Sequence, residues 1–246
     1  MHQPDDSIYK RQLRRGFDGL RFEAPLEADF RRSFLGTRLP RIRMALGLGL
    51  LLLVVLAWLD WQLLPEAFWH QSLWIRGGVM LPLMLSALIA SYFETTCKYL
   101  AVILSVCAFA VGLLTLGIGA LAVHLDLDMP FAGLVVVTVY AYLLLGFRFY
   151  QALLAMVPLF AVYVGLAVFS GHDGTQFAYQ AVFLTFANII GAMGCYRMVH
   201  FARTIFLETQ IINLLVGSDA LTGILNRRLF NTHLQSVWRQ AQRESR

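Results

Sequence analysis

Residues 44–64 read MALGLGLLLLVVLAWLDWQLL, a run whose single charge, Asp60, falls in its final turns. A helix needs about 20 residues to cross a hydrocarbon core of about 30 Å, and this run meets that length. Five more stretches qualify: residues 77–93 (short, but extendable through Trp74 and Ile75), 99–123, 129–147, 149–171 and 174–196. Apart from Asp60, none holds an Asp, Glu, Lys or Arg in its interior. The whole chain of 246 residues is 58% apolar and 14% charged, against about 25% charged in a soluble domain, and its mean hydropathy is +0.63. The charges crowd into residues 1–43 and 197–246. The expected class is an all-α membrane protein with six transmembrane helices in residues 44–196. The first apolar run starts too far into the chain, and is too long, to be the apolar core of a signal peptide; it is expected to remain as an anchor. Cys97, Cys107 and Cys195 lie in or beside apolar runs without metal-ligand spacing and read as reduced, buried thiols.

Orientation follows from lysine and arginine near the span ends. Arg31, Arg32, Arg38, Arg41 and Arg43 precede the first span, Lys98 and Arg148 lie in the second and fourth connections, and Arg197 and Arg203 follow the sixth span. The alternate connections carry Glu66, Asp126, Asp128 and Asp173, with Arg76 as their single basic residue. Nine basic residues against one place both termini in the cytoplasm of a multi-pass protein of the cell inner membrane. Trp58, Trp61, Trp69 and Trp74 gather where the outer interface then falls. The tightest joint is Gly146-Phe147-Arg148-Phe149-Tyr150. A five-span reading, which skips that turn, would put Arg197 and Arg203 on the wrong face and is rejected.

The span interiors offer mild polar groups such as Ser105, Thr115, Thr138, Thr185 and Asn188. Ion-coupled transporters generally place ionisable groups there, so a transporter is disfavoured. Gly112, Gly117, Gly119 and Gly191 suit close helix packing. Each outer connection holds a histidine with acidic company: His70 with Glu66, His124 with Asp126 and Asp128, His172 with Asp173. Imidazole and carboxylate bind zinc-like ions and histidine titrates near neutrality, so a metal- or pH-sensing site stands beside the plainer reading of solvated polar loops. No local spacing fixes a ligand set, and no metal ligand is assigned.

Residues 1–43 form a basic amino-terminal arm. Leu26, Phe30 and Phe34, with Leu35 alongside, make one apolar stripe, and Arg31, Arg32 and Arg38 lie off it. Such a helix either lies on the inner leaflet, its arginines near anionic lipid headgroups, or docks onto the helix that leaves the membrane. Pro25 fits a first-turn position. Nucleic-acid binding is not expected, because the +5 excess of charge sits next to a membrane.

The sixth span continues without Gly or Pro into a signalling helix, residues 197–218 up to a closing Gly-Ser, where Met198, Phe201, Ile205, Ile212 and Leu215 recur in a coiled-coil-like pattern interrupted by Glu208. There follows Asp219-Ala220-Leu221-Thr222-Gly223-Ile224-Leu225-Asn226-Arg227-Arg228-Leu229-Phe230. Asn226 is a good N-cap, and Asp219 can pair with Arg227 or Arg228 across the turn, which makes the segment a hinge between two helices. This stretch resembles the opening of GGDEF domains, D-x-L-T-G-L-x-N-R-R-x-F, at Asp219, Leu221, Thr222, Gly223, Asn226, Arg227, Arg228 and Phe230, with Ile224 in place of Leu.

The resemblance implies that residues 219–246 are the first part of an α/β diguanylate cyclase domain. Such a domain condenses two GTP into cyclic di-GMP with Mg2+ across a homodimer. The family's catalytic and metal-binding residues, the Gly-Gly-Asp/Glu-Glu-Phe loop and an aspartate after the first strand, are expected beyond Arg246. None is named here, and the 246 residues alone are expected to be inactive and to bind no cofactor. A degenerate, non-catalytic GGDEF receptor or scaffold fits the same residues. A sensor kinase does not, since His233 lacks the H-E-x-x-x-P surroundings of a phosphoacceptor.

Overall fold

The computed structural model describes residues 8–125, 127, 132–169, 174–217 and 238, and every regular element among them is helical. In chain order these are α1 (Ile8–Arg15), a 3-10 turn (Asp18–Leu20), α2 (Ala24–Leu63), α3 (Glu66–Leu73), a π-helical stretch (Trp74–Met80), α4 (Leu81–Ala90), α5 (Glu94–Cys97), α6 (Leu100–His124), α7 (Ala132–Leu143), α8 (Phe149–Phe169) and α9 (Gly174–Gly217). They fall into two compact units: Arg32–Val199, and Met1–Arg31 with His200–Arg246.

In the larger unit α6 is the hub, packed against α3, the π-helical stretch, α4, α5, α7 and α8. Five helical segments are long and apolar enough to cross a membrane: Arg38–Leu63, Glu66–Ala90, Leu100–His124, Phe149–Val168 and Ala178–Leu214. Between 22% and 28% of each hydrophobic window is buried within the chain, so most of its apolar surface faces outward. Leu51, Val54, Leu154 and Ile190 are among the exposed side chains. In water that surface would be a severe aggregation liability; a lipid solvent satisfies it. The expected fourth span, residues 129–147, is represented by α7, a shorter apolar helix of 12 residues. It rises about 18 Å, less than a full hydrocarbon core.

The second span begins earlier than its sequence suggests. Helix resumes at Glu66, immediately after Pro65, and continues through the π-helical stretch into α4. Pro82 explains the wide turn, since its ring and missing N–H disrupt a regular ladder one turn upstream. Glu66, His70 and Arg76 therefore stand on helix rather than in an outer loop.

Two arginines whose sequence positions marked them as topological charges close helix ends in this unit. Arg43 donates from Nη2 to the Ser91 carbonyl at 2.7 Å and from Nε to Ser91 Oγ at 3.2 Å, and lies 3.9 Å from the Tyr92 ring centre. Arg38 donates to the carbonyl of Gly146. These contacts satisfy carbonyls that helix ends and turns leave open. Gly146 has φ +67°, a left-handed conformation that favours glycine, and this lets the chain reverse at once between α7 and α8. Tyr140 donates to the Ala45 carbonyl at 2.6 Å, tying α7 to α2.

Of the glycines expected to permit close packing, two do so and two do not. A Cβ on Gly112 would collide with Leu159, and one on Gly191 would lie 2.5 Å from Tyr142 Cδ2 and 3.1 Å from its Cβ. A Cβ on Gly117 or Gly119 would meet nothing within 4 Å among the described residues. Tyr142 is buried and its Cβ cannot move without its helix. Gly191→Ala should therefore cost about 1–3 kcal/mol by overpacking, with Gly117→Ala neutral or slightly stabilising. Thermal unfolding in lipid nanodiscs checks the contrast, and equal melting temperatures would contradict it.

The smaller unit takes its core from the first turns of α2 and the carboxy-terminal part of α9. Leu26 and Phe30 are each 3% exposed, and Phe22, Phe206 and Leu207 are buried as well; Phe30 packs against Phe22 and Phe206, its ring 5.4 Å from each and edge to face. Of the two readings of the arm's apolar stripe, docking onto the exit helix is the one found at these positions. The side chains of Arg31, Arg32, Phe34 and Leu35 lie outside the described residues.

Candidate functional site

Two buried ion pairs, one in each unit, hold the chemistry among the described residues. In the membrane unit, Asp60 near the end of α2 faces Arg76 on the π-helical stretch. Arg76 Nε donates to Asp60 Oδ2 at 2.9 Å and to Ser72 Oγ at 3.1 Å, and Ser72 Oγ donates to Asp60. The side chains of Arg76 and Asp60 are 9% and 7% exposed. The wide turn brings this about: it rotates Arg76 and Met80 inward together, and both are buried. The expectation that span interiors lack ionisable partners is corrected here, because Arg76 lies inside a candidate span and neutralises the Asp60 charge. The pair neutralises its own charge, as buried charges in a membrane must.

Below this pair lies an elongated cavity of about 240 Å³ between α2, α4, α6 and α7. Leu46 and Leu145 line one end and Asp60 and Arg76 the other, with Met84, Val111 and Val137 along its walls. From Leu46 to Asp60 along α2 the helix rises about 21 Å. Thr115 and Tyr140 also reach the wall, but their hydroxyl protons are spent on the Val111 and Ala45 carbonyls.

In the smaller unit Arg203 of α9 forks onto Glu27 of α2, Nη1 to Oε2 at 2.7 Å and Nη2 to Oε1 at 3.1 Å. The two side chains are 4% and 14% exposed. Glu27 also accepts from the Phe22 backbone N–H at 3.1 Å. The guanidinium carbon lies 4.6 Å and 4.4 Å from the Phe22 and Phe30 ring centres, so cation–π attraction adds to the ion pair. Arg203 Nε is buried with no hydrogen-bond partner among the described residues. Flat, bidentate and stacked, this site is suited to arginine and not to lysine.

The sequence-derived site residues fare unevenly. His70 lies on α3, exposed, 3.6 Å from Glu66 one turn back. His124 is the exposed last residue of α6. His172, Asp126 and Asp128 lie outside the described residues, as do Asp219, Leu221, Thr222, Gly223, Asn226, Arg227, Arg228 and Phe230. Among the described residues no group of three His, Cys, Asp or Glu is placed to hold a metal ion. Asp60, Arg76, Glu27 and Arg203 were not singled out as a site by sequence reasoning. A usable signal existed for one of them: Asp60 is the lone acid in an apolar run, and an uncompensated carboxylate there needs a cationic partner. No protein-family model matches the chain, and no curated protein matches it.

Proposed function

We propose that this chain is the membrane sensor and regulatory part of a diguanylate cyclase, with six transmembrane helices and both termini in the cytoplasm of a cell with an inner membrane. The observation that carries the reading is a juxtaposition in the sequence. The helix α9, unbroken from Gly174 to Gly217, runs directly into Asp219-x-Leu221-Thr222-Gly223-x-x-Asn226-Arg227-Arg228-x-Phe230. A rigid helix leaving a membrane bundle and entering a hinge is what a sensor needs to pass a rotation or shift to an output domain.

The six-span count draws support from the polar contacts of the larger unit. Arg38, Arg43, Ser91 and Gly146 meet at one end of the bundle, so the chain leaves that end in α6 and returns to it after α7. The homodimer draws support from α9, where Phe201, Ile205 and Ile212 of the coiled-coil-like stripe are exposed in the single chain while Arg203, Phe206 and Leu207 are buried. Membrane lipids would cover the outward apolar surface. GTP and Mg2+ would belong to the output domain, where the metal would stabilise charge on the reacting phosphates. The chain contains no Gly-Gly-Asp/Glu-Glu-Phe sequence, and no catalytic role is assigned to its residues.

Purified in nanodiscs with GTP and Mg2+, the 246-residue chain is expected to make no cyclic di-GMP. A chimera replacing residues from Asp219 onward with a complete, active GGDEF domain is expected to make it in cells. Product from the unfused chain, or silence from chimeras in every helical register of the junction, would overturn the reading.

A further inference from the structure

The Asp60–Arg76 pair is complete as a charge pair but not as a hydrogen-bonding group. Arg76 spends Nε on Asp60 and Ser72, and Asp60 accepts both of its bonds on Oδ2. Among the described residues, Arg76 Nη1 and Nη2 and Asp60 Oδ1 have no partner. Yet the Arg76 side chain is more than nine-tenths buried and lines the cavity. A guanidinium carries five donors, and terminal nitrogens that face an apolar chamber without a partner are costly. Among the described residues no hydrogen bond joins them to the hydroxyls of Thr115 and Tyr140, which donate to the Val111 and Ala45 carbonyls.

We infer that the chamber is a binding site for a neutral, single-chain amphiphile whose oxygen-bearing head seats on Arg76 and Asp60 and whose tail runs along α2 toward Leu46 and Leu145. Three features select that chemistry. The walls beyond the pair are almost wholly apolar, and the lining runs along α2 from Leu46 to Asp60, a rise of about 21 Å, which suits an unbranched chain. The pair offers a donor (Arg76 Nη) beside an acceptor (Asp60 Oδ1), which matches a hydroxyl or a hydroxyl-bearing ketone. Its net charge is zero, so an anionic head would be repelled by Asp60 as much as drawn by Arg76, and a cationic head faces the reverse. Sites of this kind, an apolar cleft with a few convergent polar groups, are the usual form of small-molecule pockets. The π-helical stretch that aims Arg76 inward is a deformation found often at functional positions.

As the ligand of a sensor this amphiphile rests on the function proposed above; the binding itself does not, and the two are tested separately. The full chain in nanodiscs is photolabelled with a diazirine-bearing dodecanol and the adducts are mapped by mass spectrometry. Adducts are expected on cavity residues such as Val111 and Val137. An excess of plain dodecanol should suppress them at least tenfold, and decanoate or decylamine should not. Val137→Phe, which fills the chamber, should abolish them. D60L/R76M together, which removes the polar head site while keeping the volume apolar, should weaken competition by dodecanol about tenfold. Circular dichroism of both variants checks that the helices remain. Labelling spread over the lipid-facing surface and indifferent to Val137→Phe would show only bilayer acyl chains in a crevice and overturn the proposal. Better competition by decanoate or decylamine than by dodecanol would overturn the choice of a neutral head. Binding as expected, with no change of cyclic di-GMP output in the chimera on adding dodecanol, would leave the site standing and remove its sensory role.

Discussion

Arg203→Ala is expected to release the amino-terminal arm from the exit helix. The change deletes a bidentate partner of Glu27 and the cation between the Phe22 and Phe30 rings, and leaves the Glu27 carboxylate, 14% exposed, without its counter-charge. Breaking a buried pair from one side costs about 3–5 kcal/mol. At about 1.4 kcal/mol per factor of ten, the detached population rises by two orders of magnitude or more. Arg11, Arg14, Arg15 and Arg21 are exposed trypsin sites in the arm and its turn. Cleavage of a transiently opened segment follows the open population when reclosing is fast, so the tryptic rate there should rise about a hundredfold. Arg203→Lys should fall between, keeping charge but losing the fork and the stacking. E27L/R203M should restore protection, because an apolar replacement of a whole buried pair is often neutral or stabilising. An Arg203→Ala rate within threefold of the parent would show that the pair is not what holds the arm.

The second large effect belongs to Asp60. Asp60→Leu leaves Arg76 buried with no counter-charge, and Ser72 alone cannot supply one. A loss of about 3–5 kcal/mol follows from the same reasoning, equivalent to roughly 6–20 °C in melting temperature for a chain of this size. Unfolding in nanodiscs, followed by helical circular dichroism, measures it. D60L/R76M should recover most of the loss, whereas two additive losses would mean that the residues act independently. A melting temperature within about 2 °C of the parent for Asp60→Leu would mean that Arg76 reaches water, and its burial would be misassigned.

The sequence showed the class of the fold because hydropathy over windows of twenty residues is insensitive to local detail: the runs at 99–123 and 149–171 correspond to α6 and α8 within a few residues, and the run at 44–64 ends within one residue of α2, which begins earlier, at Ala24. It misplaced the start of the second span, since Glu66, His70 and Arg76 look like loop residues until the π-helical stretch lets the helix pass through Gly77-Gly78 toward Pro82. The tight reversal at Gly146 was legible from one glycine two residues before an arginine. The site was less so. Pairing of Asp60 with Arg76, and of Glu27 with Arg203, depends on which faces of distant helices meet, and neither period nor composition encodes that. The same blindness made Arg38 and Arg43 look like free surface charge, when the fold spends them on the carbonyls of Gly146 and Ser91. Gly117 and Gly119 illustrate the converse, being small residues where an added Cβ would meet nothing within 4 Å among the described residues.

The reading as a cytoplasmic regulator depends on the side of the membrane reached by α9. Paired fusions after Arg246, one to green fluorescent protein and one to alkaline phosphatase, test it in a bacterial inner membrane, with matched fusions after Leu64 as the opposite-side control. Fluorescence with silent phosphatase at Arg246, and the reverse at Leu64, is the expected result. Active phosphatase at Arg246 would put the hinge outside, away from GTP, and contradict the six-span arrangement and the function built on it.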